Sequence, residues 1–398
     1  MSTLPLAGVR ILDLGTRIAA PFAATLLGDF GAEVIKVELP GSGDFMRTIG
    51  PFVDDYSLWW AVEGRNKKSI TLDLRTPRGQ ALLKQLVAVT DVVVENFQPG
   101  TLEQWGLGFN ALRSVNPKLI LTRASVYGQS GPYRDRPGLD RNGIGFGGLL
   151  YLTGYKDHPP VRPGIIISDY LTGVFNAFAI MLALYHRDVH DGGGQWVDLA
   201  LYESIFRVLE HTVATYDRLG IVREREGNRL RNSAPLDNWR TKDGEFVCIV
   251  AAGDGLFPRL AQAMGRADLL DDPRFNSLSA RVAHGDAINE IVAAWVAQHT
   301  ADEIEALLIP AQVPMTRAYS IADIAADPHY AARADIVTVD DPTIGPVRMQ
   351  AVYPRLSETP GRIQRGAPKL GEHNREIYGA LLRLSDAEIA QLEHDRII

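Results

Sequence analysis

Asp169 is the side chain of this sequence best placed for covalent chemistry. It follows the apolar run of residues 161–167 and opens a long apolar stretch that continues to Arg187. If that stretch is a helix, Ser168 or Asp169 lies at or beside its N-cap, where free backbone N–H groups and the helix dipole favour an ionised carboxylate. Such a carboxylate can attack an acyl carbon, which makes Asp169 a candidate nucleophile. The stretch alone also fits a plain capping role, because Asp is among the commonest N-cap residues.

The stretch from Asp169 to Arg187 predicts a long buried helix. Gly173 is its only helix breaker, and apolar side chains recur at helical spacing over a wide face. These apolar positions are Leu171, Val174, Phe175, Phe178, Ala179, Leu182 and Tyr185. Burial of the helix would keep water away from a nucleophile at its start.

Composition narrows the class of protein. A chain of 398 residues exceeds the usual size of a single hydrophobic core, so two domains are expected. The shares of hydrophobic (46%) and charged (22%) residues are typical of a soluble globular protein. A net charge of −7 without a dense cluster of Lys and Arg predicts neither a nucleic-acid partner nor a membrane partner.

Targeting and metal signals are missing from the sequence. Cys248 is the only cysteine, so neither a disulfide framework nor a cysteine-based metal site is expected, as in a reducing cytoplasm. Residues 1–8 have neither a basic flank nor a long apolar core, and no apolar run is expected to span a bilayer. We therefore expect an untargeted, soluble, cytoplasmic protein without a metal.

Short apolar strands alternate with helices in the N-terminal half. The strands are expected at residues 9–14, 32–38, 69–74, 91–95 and 118–122, with helices from Pro21 and after Thr76. This alternation predicts an α/β domain with a largely parallel, Rossmann-like sheet. The loop of residues 15–19 lacks the G-x-G-x-x-G fingerprint, so a dinucleotide cofactor is only weakly supported.

A shift to charged residues between about 220 and 234 predicts a domain boundary. We expect residues 1–220 to form the N-terminal part of a large α/β domain. Residues 221–325 are expected to form a smaller α+β domain with a hairpin and amphipathic helices. Residues 326–398 are expected to return to the large domain.

Six stretches carry a resemblance to a known family. They are DFGAEVIKVE at 29–38, RNKKSITLDLR at 65–75, VVVENFQPG at 92–100, GGQWVD at 193–198, DPRF at 272–275 and APKLGEH at 367–373. Together, and in this order, they resemble the family III CoA-transferases, also called the carnitine-CoA-transferase-like family. The resemblance extends from about residue 5 to the C-terminus.

The resemblance implies ping-pong transfer of CoA between carboxylic acids, with Asp169 forming the covalent intermediates. The implied substrates are an acyl-CoA donor and a free carboxylic acid, and no permanently bound cofactor is implied. The implied fold is a large α/β domain built from both ends of the chain and a smaller domain from its middle, in an interlinked homodimer. Interlinking rests on the resemblance alone, because knot-free topology is the general rule.

The resemblance also implies CoA-binding residues. The family positions that touch CoA match Ala19, Leu72, Arg75, Asn96, Phe97 and Tyr127. Arg75 is the expected phosphate partner, because a guanidinium can hold a phosphate through paired hydrogen bonds. The alternative for Arg75 is a solvated residue at a helix start.

Some residues differ from those of related enzymes, and these differences disfavour particular substrates and reactions. Ile18 stands where formyl-CoA:oxalate transferases have Gln, and Arg231 begins a segment that replaces their glycine-rich loop, so oxalate is disfavoured. Leu139 before Asp140 replaces a histidine of α-methylacyl-CoA racemases, so a racemase or isomerase, which needs two proton-transfer groups, is also disfavoured. The remaining rival is a non-catalytic acyl-CoA-binding subunit, and the presence of Asp169 argues against it.

Arg17 points to the class of acid. It lies one residue before Ile18, so its side chain is expected to reach the acyl pocket near Asp169. Because a guanidinium can bind a second carboxylate bidentately, we expect short dicarboxylic acyl groups of the succinyl, mesaconyl or citramalyl kind. The alternative is that Arg17 contacts a CoA phosphate or a surface carboxylate. The expected substrate-binding residues are Arg17, Ile18, Asp140 and Arg231, with Arg229 as a further helper.

Overall fold

The structure, a computed structural model, describes residues 3–398. The strands are β1 (Arg10–Asp13), β2 (Glu33–Glu38), β3 (Phe52–Val53), β4 (Tyr56–Ser57), β5 (Lys67–Thr71), β6 (Val92–Glu95), β7 (Ile120–Ser125), β8 (Trp196–Ala200), β9 (Leu236–Arg240), β10 (Phe246–Val250), β11 (Met315–Arg317), β12 (Ile336–Asp341) and β13 (Gly345–Gln350). The helices are α1 (Pro21–Asp29), α2 (Leu58–Glu63), α3 (Pro77–Val87), α4 (Thr101–Gln104), α5 (Phe109–Val115), α6 (Asp140–Phe146), α7 (Leu149–Leu152), α8 (Ile167–Val189), α9 (Leu201–Arg207), α10 (Thr212–Leu219), α11 (Phe257–Ala263), α12 (Leu278–Ala283), α13 (Gly285–Val296), α14 (Ala301–Leu308), α15 (Ile321–Ala326), α16 (Pro328–Ala332), α17 (Asn374–Leu382) and α18 (Asp386–His394). Short 3-10 helices lie at Phe45–Thr48 and Ala267–Leu270.

Buried aliphatic side chains build the central sheet. Val92, Val93 and Val94 of β6 are inaccessible to solvent, and the neighbouring β1 is buried through Ile11 and Leu12. Near-continuous apolar strands of this kind are typical of parallel strands with both faces covered. The six strands pair in parallel in the order β5-β2-β1-β6-β7-β8, which confirms the predicted α/β fold with a large parallel sheet.

The strand order reverses beside β1. The chain adds β2 and β5 on one side of β1, and β6, β7 and β8 on the other. The loops that leave β1 and β6 therefore diverge at the carboxyl edge of the sheet, where ligands bind in open parallel sheets. Residues 14–20 and 96–100 form these two loops.

Helix α8 is buried on one side only. It packs against α1, α6 and α9, and Gly173 allows the approach of α1 because a Cβ there would lie 2.7 Å from the ring of Phe22. Its buried residues include Ser168, Thr172, Asn176, Ile180, Ala183 and Leu184. Its exposed apolar residues are Val174, Phe178, Met181, Leu182, Tyr185 and Val189. The expectation that the whole apolar face is buried is therefore wrong for the single chain.

Helix α8 is also, within residues 3–398, the one helix long and apolar enough to cross a membrane. Its most apolar window has a mean hydropathy of 1.5, and 39% of that window is buried. Core helices of soluble proteins meet the same criteria of length and composition, so this helix is weak evidence for a membrane span. The helix joins the α/β unit through polar contacts, since Arg187 near its end forms an ion pair of 2.9 Å with Asp91.

Contacts divide the described chain into two units. The first comprises the residues up to Leu150, Arg162–Ile221 and Ala332–Ile398, and the second comprises Tyr151–Val161 and Val222–Ala331. Residues 151–161 were expected in the large domain but belong to the second unit. The reason is local hydrogen bonding: the hydroxyl of Tyr151 donates to Glu224 at 2.7 Å, and the N–H of Gly227 donates to the carbonyl of Gly154 at 2.9 Å.

The second unit has α+β character. Its three-stranded antiparallel sheet runs in the order β11-β10-β9. Val247 and Ile249 of β10 pack with Leu260, Val292 and Ile304 from α11, α13 and α14. This unit therefore has a hydrophobic core of its own.

Candidate active site

The first turn of α8 carries Asp169, and α8 begins earlier than expected. Its first residue is Ile167 and its N-cap is Ile166, whose side chain makes no capping hydrogen bond. Asp169 is thus the third residue of the helix, which corrects its sequence-based placement at or beside the N-cap. The cap comes from α6, because Oδ1 of Asp140 accepts hydrogen bonds from the backbone N–H (2.8 Å) and the hydroxyl (2.9 Å) of Ser168.

Asp140 therefore serves the helix that carries Asp169. It was predicted as a substrate-binding residue, but its side chain is buried against Ser168. A carboxylate at this end of a helix satisfies free N–H groups and interacts favourably with the helix dipole. Asp140 thus fixes the first turn of α8 and, with it, the position of Asp169.

The pKa of Asp169 is raised from that of an ordinary aspartate to about 7. Burial has the largest effect, because it disfavours the charged form, and the negative charge of Asp140 adds to it. The positive charge of Arg17 acts in the opposite direction. Near neutral pH, Asp169 is therefore divided between a carboxylic acid and a poorly solvated carboxylate, the form that can attack an acyl carbon.

Arg17 lies in the loop after β1 with a left-handed backbone (φ 64°), which is uncommon for a residue with a side chain. Its N–H donates to Oδ1 of Asp44 at 3.1 Å, and the neighbouring Thr16 N–H donates to Oδ1 of Asn96 at 2.8 Å. The guanidinium carbon lies 3.9 Å from the centre of the Phe45 ring. Within residues 3–398 this guanidinium forms no ion pair with a carboxylate, so its charge is free to act on a ligand.

Arg17 and Asp169 line the same cavity of about 250 Å³, at the edge where the strand order reverses. The lining residues are Thr16, Arg17, Ala19, Asn96, Phe97, Gln98, Pro99, Ala124, Ser125, Val126, Arg134, Arg136, Pro137, Gly138, Leu139, Asp169 and Leu201. Among these described residues are three arginines, a single carboxylate and no histidine. The cavity thus suits an anionic ligand beside one carboxylate, and it lacks the pair of proton-transfer groups that racemisation needs.

Two of these arginines were missed by sequence reasoning. Arg134 pairs with Asp135 at 3.3 Å, and Arg136 lies 3.5 Å above the ring of Tyr133. Both follow a turn-rich segment, and an exposed charged loop of this kind carries no periodic signal by which its partners could be inferred.

A second cavity, of about 230 Å³, adjoins the first because Thr16 and Phe97 line both. Leu72 and Arg75, which follow β5, line the second cavity. The side chain of Arg75 is exposed and pairs with Asp73 at 2.8 Å. The two cavities together offer an elongated ligand a path from Arg75 to Asp169.

The residues predicted to contact CoA fall into two groups. The five that line one or both cavities are Ala19, Leu72, Arg75, Asn96 and Phe97. Tyr127 lies in an aromatic cluster, with its ring centre 6.2 Å from that of Tyr133 and 5.3 Å from that of Phe146. Five of the six positions are thus brought to the same edge of the sheet.

Two predicted substrate-binding residues lie elsewhere. Ile18, a predicted substrate-binding residue, is buried in a hydrophobic cluster with Met46 and Trp60 and does not line the cavity that contains Asp169. Arg231 belongs to the second unit, where its guanidinium pairs with Glu226 at 2.7 Å. Arg229, the predicted helper, also belongs to that unit and has carboxylate partners there.

A buried charge network beneath the loop after β1 was missed by sequence reasoning. Lys36 of β2 pairs with Asp44 at 2.9 Å and with Asp13 at 3.5 Å, and it also donates to the carbonyl of Gly15. Lys67 of β5 pairs with Asp13 at 2.9 Å. Burial alone would lower the pKa of Lys36, but these carboxylates raise it. The available signal was the presence of Lys36 and Asp13 in otherwise apolar strands.

Comparison with known proteins identifies relatives along the whole chain. The family model described as CoA-transferase family III matches residues 6–374. A succinyl-CoA–D-citramalate CoA-transferase of Chloroflexus aurantiacus is 47% identical over 99% of this chain and 98% of its own length. The beta subunit of a succinyl-CoA–L-malate CoA-transferase of the same organism is 45% identical over 100% and 99%. The crystal structure of a CAIB/BAIF family protein from Brucella suis superposes with a TM-score of 0.86, at 34% identity over 96% of this chain and 100% of that chain.

The charge of Asp140 provides a test of the electrostatics of Asp169. We expect Asp140→Asn to lower the pKa of Asp169 below about 7, because the amide oxygen still accepts hydrogen bonds from Ser168 but the like charge is gone. The measurement is a pH titration by NMR of protein carrying ¹³C-labelled aspartate, with the Asp169 signal assigned from Asp169→Asn. Asp188→Asn, at the far end of α8, should leave the titration unchanged. An unchanged or higher pKa in Asp140→Asn would contradict repulsion between the two carboxylates.

Proposed function

The chain belongs to CoA-transferase family III, and on that basis we propose that it transfers CoA between carboxylic acids that include short dicarboxylic acids of the succinyl, mesaconyl or citramalyl kind. The names of its relatives support this choice, since they transfer CoA from succinyl-CoA to citramalate or malate. The observation that carries the proposal is that Arg17 lines the same cavity as Asp169, and that its guanidinium has no carboxylate partner among residues 3–398. An acyl-CoA donor and a free acid are the substrates, and CoA enters as the thioester.

We propose that the reaction has four steps, in which Asp169 forms the covalent intermediates. A carboxylate oxygen of Asp169 attacks the thioester carbon of the donor, and the C–S bond breaks to give a mixed anhydride and CoA thiolate. The thiolate attacks the aspartyl carbonyl, releasing the donor acid and leaving an aspartyl-CoA thioester. The acceptor carboxylate attacks this thioester and expels CoA thiolate, and the thiolate then takes the acyl group from the second anhydride and regenerates Asp169.

The environment of Asp169 supports this role. A poorly solvated carboxylate needs little desolvation before it attacks, and burial also limits the access of water to the anhydride. Arg17 lowers the pKa of Asp169 by its positive charge, so it keeps part of the aspartate ionised near neutral pH. The same guanidinium can pair with the distal carboxylate of a dicarboxylic acyl group.

The second cavity supports a binding site for the body of CoA. Under the proposal, Leu72 and Phe97 contact the apolar part of CoA, and Arg75 exchanges its pair with Asp73 for a phosphate group of CoA. Ala19 and Asn96 line the cavity that contains Asp169, which supports a role for them at the thioester end of CoA. Tyr127 is retained as a CoA contact on the family resemblance alone.

Removal of the nucleophile tests the mechanism. We expect Asp169→Ala to lower kcat by about 10³-fold or more while CoA still binds, because the residue supplies an attacking oxygen and no core packing. Asp169→Asn should be inactive as well, since an amide is a poor nucleophile. Steady-state kinetics and calorimetric titration with CoA provide the measurement, with Asp188→Asn as a control on the same helix. Appreciable turnover by freshly prepared Asp169→Ala would exclude the covalent route, and hydroxylamine added after the donor should convert Asp169 alone to a hydroxamate.

Removal of the guanidinium tests the class of acid. We expect Arg17→Met to lower kcat/KM for succinate as acceptor, because a charged hydrogen bond is lost. The corresponding rise in activation free energy is about 1.5–3 kcal/mol. Butyrate, which has the same chain length and one carboxylate, should lose much less. An equal decrease of kcat/KM for both acids would show that Arg17 contacts CoA or supports the fold. The assignment of dicarboxylic acids as substrates would then be wrong.

We also propose that the transferase is an interlinked homodimer in the cytoplasm. The apolar side of α8 supports assembly, because large exposed apolar surfaces mark protein interfaces. Helices α9 and α10 also expose apolar side chains, among them Phe206, Val213 and Tyr216. Cys248, a free thiol, supports a reducing compartment. Since one relative is named as a subunit, the alternative partner is a different chain, and activity of the purified single chain would exclude that requirement.

Subunit exchange tests the assembly. We expect the protein to elute at twice the mass of the chain, and mixtures of tagged and untagged protein to form no hybrid dimers without unfolding. Phe178→Asp should prevent assembly by placing a charge in the apolar face of α8, whereas Phe178→Leu should not. A monomer would overturn the dimer, and rapid hybrid formation would overturn the interlinking.

A further inference from the structure

Two adjacent residues hold Arg17, and both lie outside the lining of the cavity that contains Asp169. Asp44 accepts a hydrogen bond from the backbone N–H of Arg17, and Phe45, the next residue, places its ring 3.9 Å from the guanidinium carbon. Neither residue is in the lining of the cavity that contains Asp169. The backbone and the side chain of Arg17 are therefore fixed from one short segment, the start of the 3-10 helix Phe45–Thr48.

The carboxylate of Asp44 is not available to the guanidinium of Arg17. Its Oδ2 pairs with Lys36 at 2.9 Å, and its Oδ1 accepts the N–H groups of Arg17 and of Met46. Asp44 thus anchors the loop without neutralising the charge of the arginine side chain. A long, flexible guanidinium side chain with no ion pair would populate several rotamers unless another group restrained it.

Phe45 supplies that restraint in a way that leaves hydrogen-bonding capacity free. Its side chain is 45% exposed, so core packing does not account for its position. A cation above an aromatic ring is held by the ring quadrupole, which orients the charge without cancelling it. The N–H donors of a guanidinium lie in its plane, so contact through its face leaves them able to form a fork with a carboxylate.

We propose that Phe45 is a specificity-determining positioning residue: its ring holds the guanidinium of Arg17 ready for the distal carboxylate of a dicarboxylic acyl group. This inference rests on the proposed function, in which Arg17 binds that carboxylate. Phe45 acts through Arg17 and does not touch the reacting atoms. Loss of the ring lowers selectivity for dicarboxylic acids while leaving the chemistry at Asp169 in place.

The test compares acceptors and variants with one donor. Succinyl-CoA serves as donor, ¹³C-labelled succinate or butyrate as acceptor, and the acyl-CoA products are resolved by mass spectrometry. We expect Phe45→Leu to lower kcat/KM for succinate by about three- to tenfold, with little change for butyrate. Phe45→Tyr should retain the selectivity. Phe52→Leu, which removes another exposed ring from the nearby strand β3, should change neither value.

A double-mutant cycle separates this inference from the proposed function. In the Arg17→Met background, Phe45→Leu should cause no further loss with succinate, because the group it positions is gone. A loss of equal size in both backgrounds would show that Phe45 supports the fold instead, and an unchanged kcat/KM in Phe45→Leu would also overturn the inference. If Arg17→Met itself leaves succinate selectivity intact, the dicarboxylate assignment fails first. If Arg17→Met removes it and Phe45→Leu does not, only the role of Phe45 fails.

Discussion

The ion pair between Lys36 and Asp44 is the constraint on which the geometry of the active site depends. Both groups are buried, and removal of one partner of a buried pair destabilises a fold by about 3–5 kcal/mol because the other charge is left without compensation. The chain therefore keeps Asp44 beside Lys36. Asp44 in turn holds Arg17 in a left-handed conformation that is uncommon for a residue with a side chain. The position of the cavity arginine is thus decided in the core of the sheet.

Two aspartates at this edge of the sheet are shielded from water, but their pKa values shift in opposite directions. Burial alone would raise the pKa of Asp44, but the charge of Lys36 and several hydrogen bonds lower it, so this carboxylate is ionised and structural. Asp169 is also shielded from water, yet it has only the more distant charge of Arg17 to offset burial and the repulsion of Asp140. Its pKa therefore rises to about 7. Environments that push the pKa values of like groups apart assign them different roles, and here the aspartate without a close partner is the one suited to chemistry.

The parallel sheet and the position of Asp169 at the start of a long helix were predictable, because both follow from local periodicity and short-range order. The cap of that helix was not, because Asp140, which provides it, is 28 residues from Ser168 in sequence. The burial of α8 was also misjudged, since periodicity shows that a face is apolar but not what covers it. The contacts of Arg17 depend on strands brought together only by folding, so the arginine could be named from sequence while its anchors could not.

Recognition of the acid and the reactivity of Asp169 are coupled through Arg17 under the proposed mechanism. In the free site the charge of Arg17 lowers the pKa of Asp169 and so stabilises its carboxylate. A dicarboxylic acyl group that pairs with Arg17 neutralises this charge, and the carboxylate of Asp169 loses the cation that stabilised it. The pKa of Asp169 then rises, so a smaller fraction of it is ionised near neutral pH, while the fraction that remains ionised is the more basic nucleophile. A monocarboxylic acyl group leaves the charge of Arg17 in place, so the two kinds of acid differ in their effect on the ionisation of Asp169 as well as in their binding to Arg17.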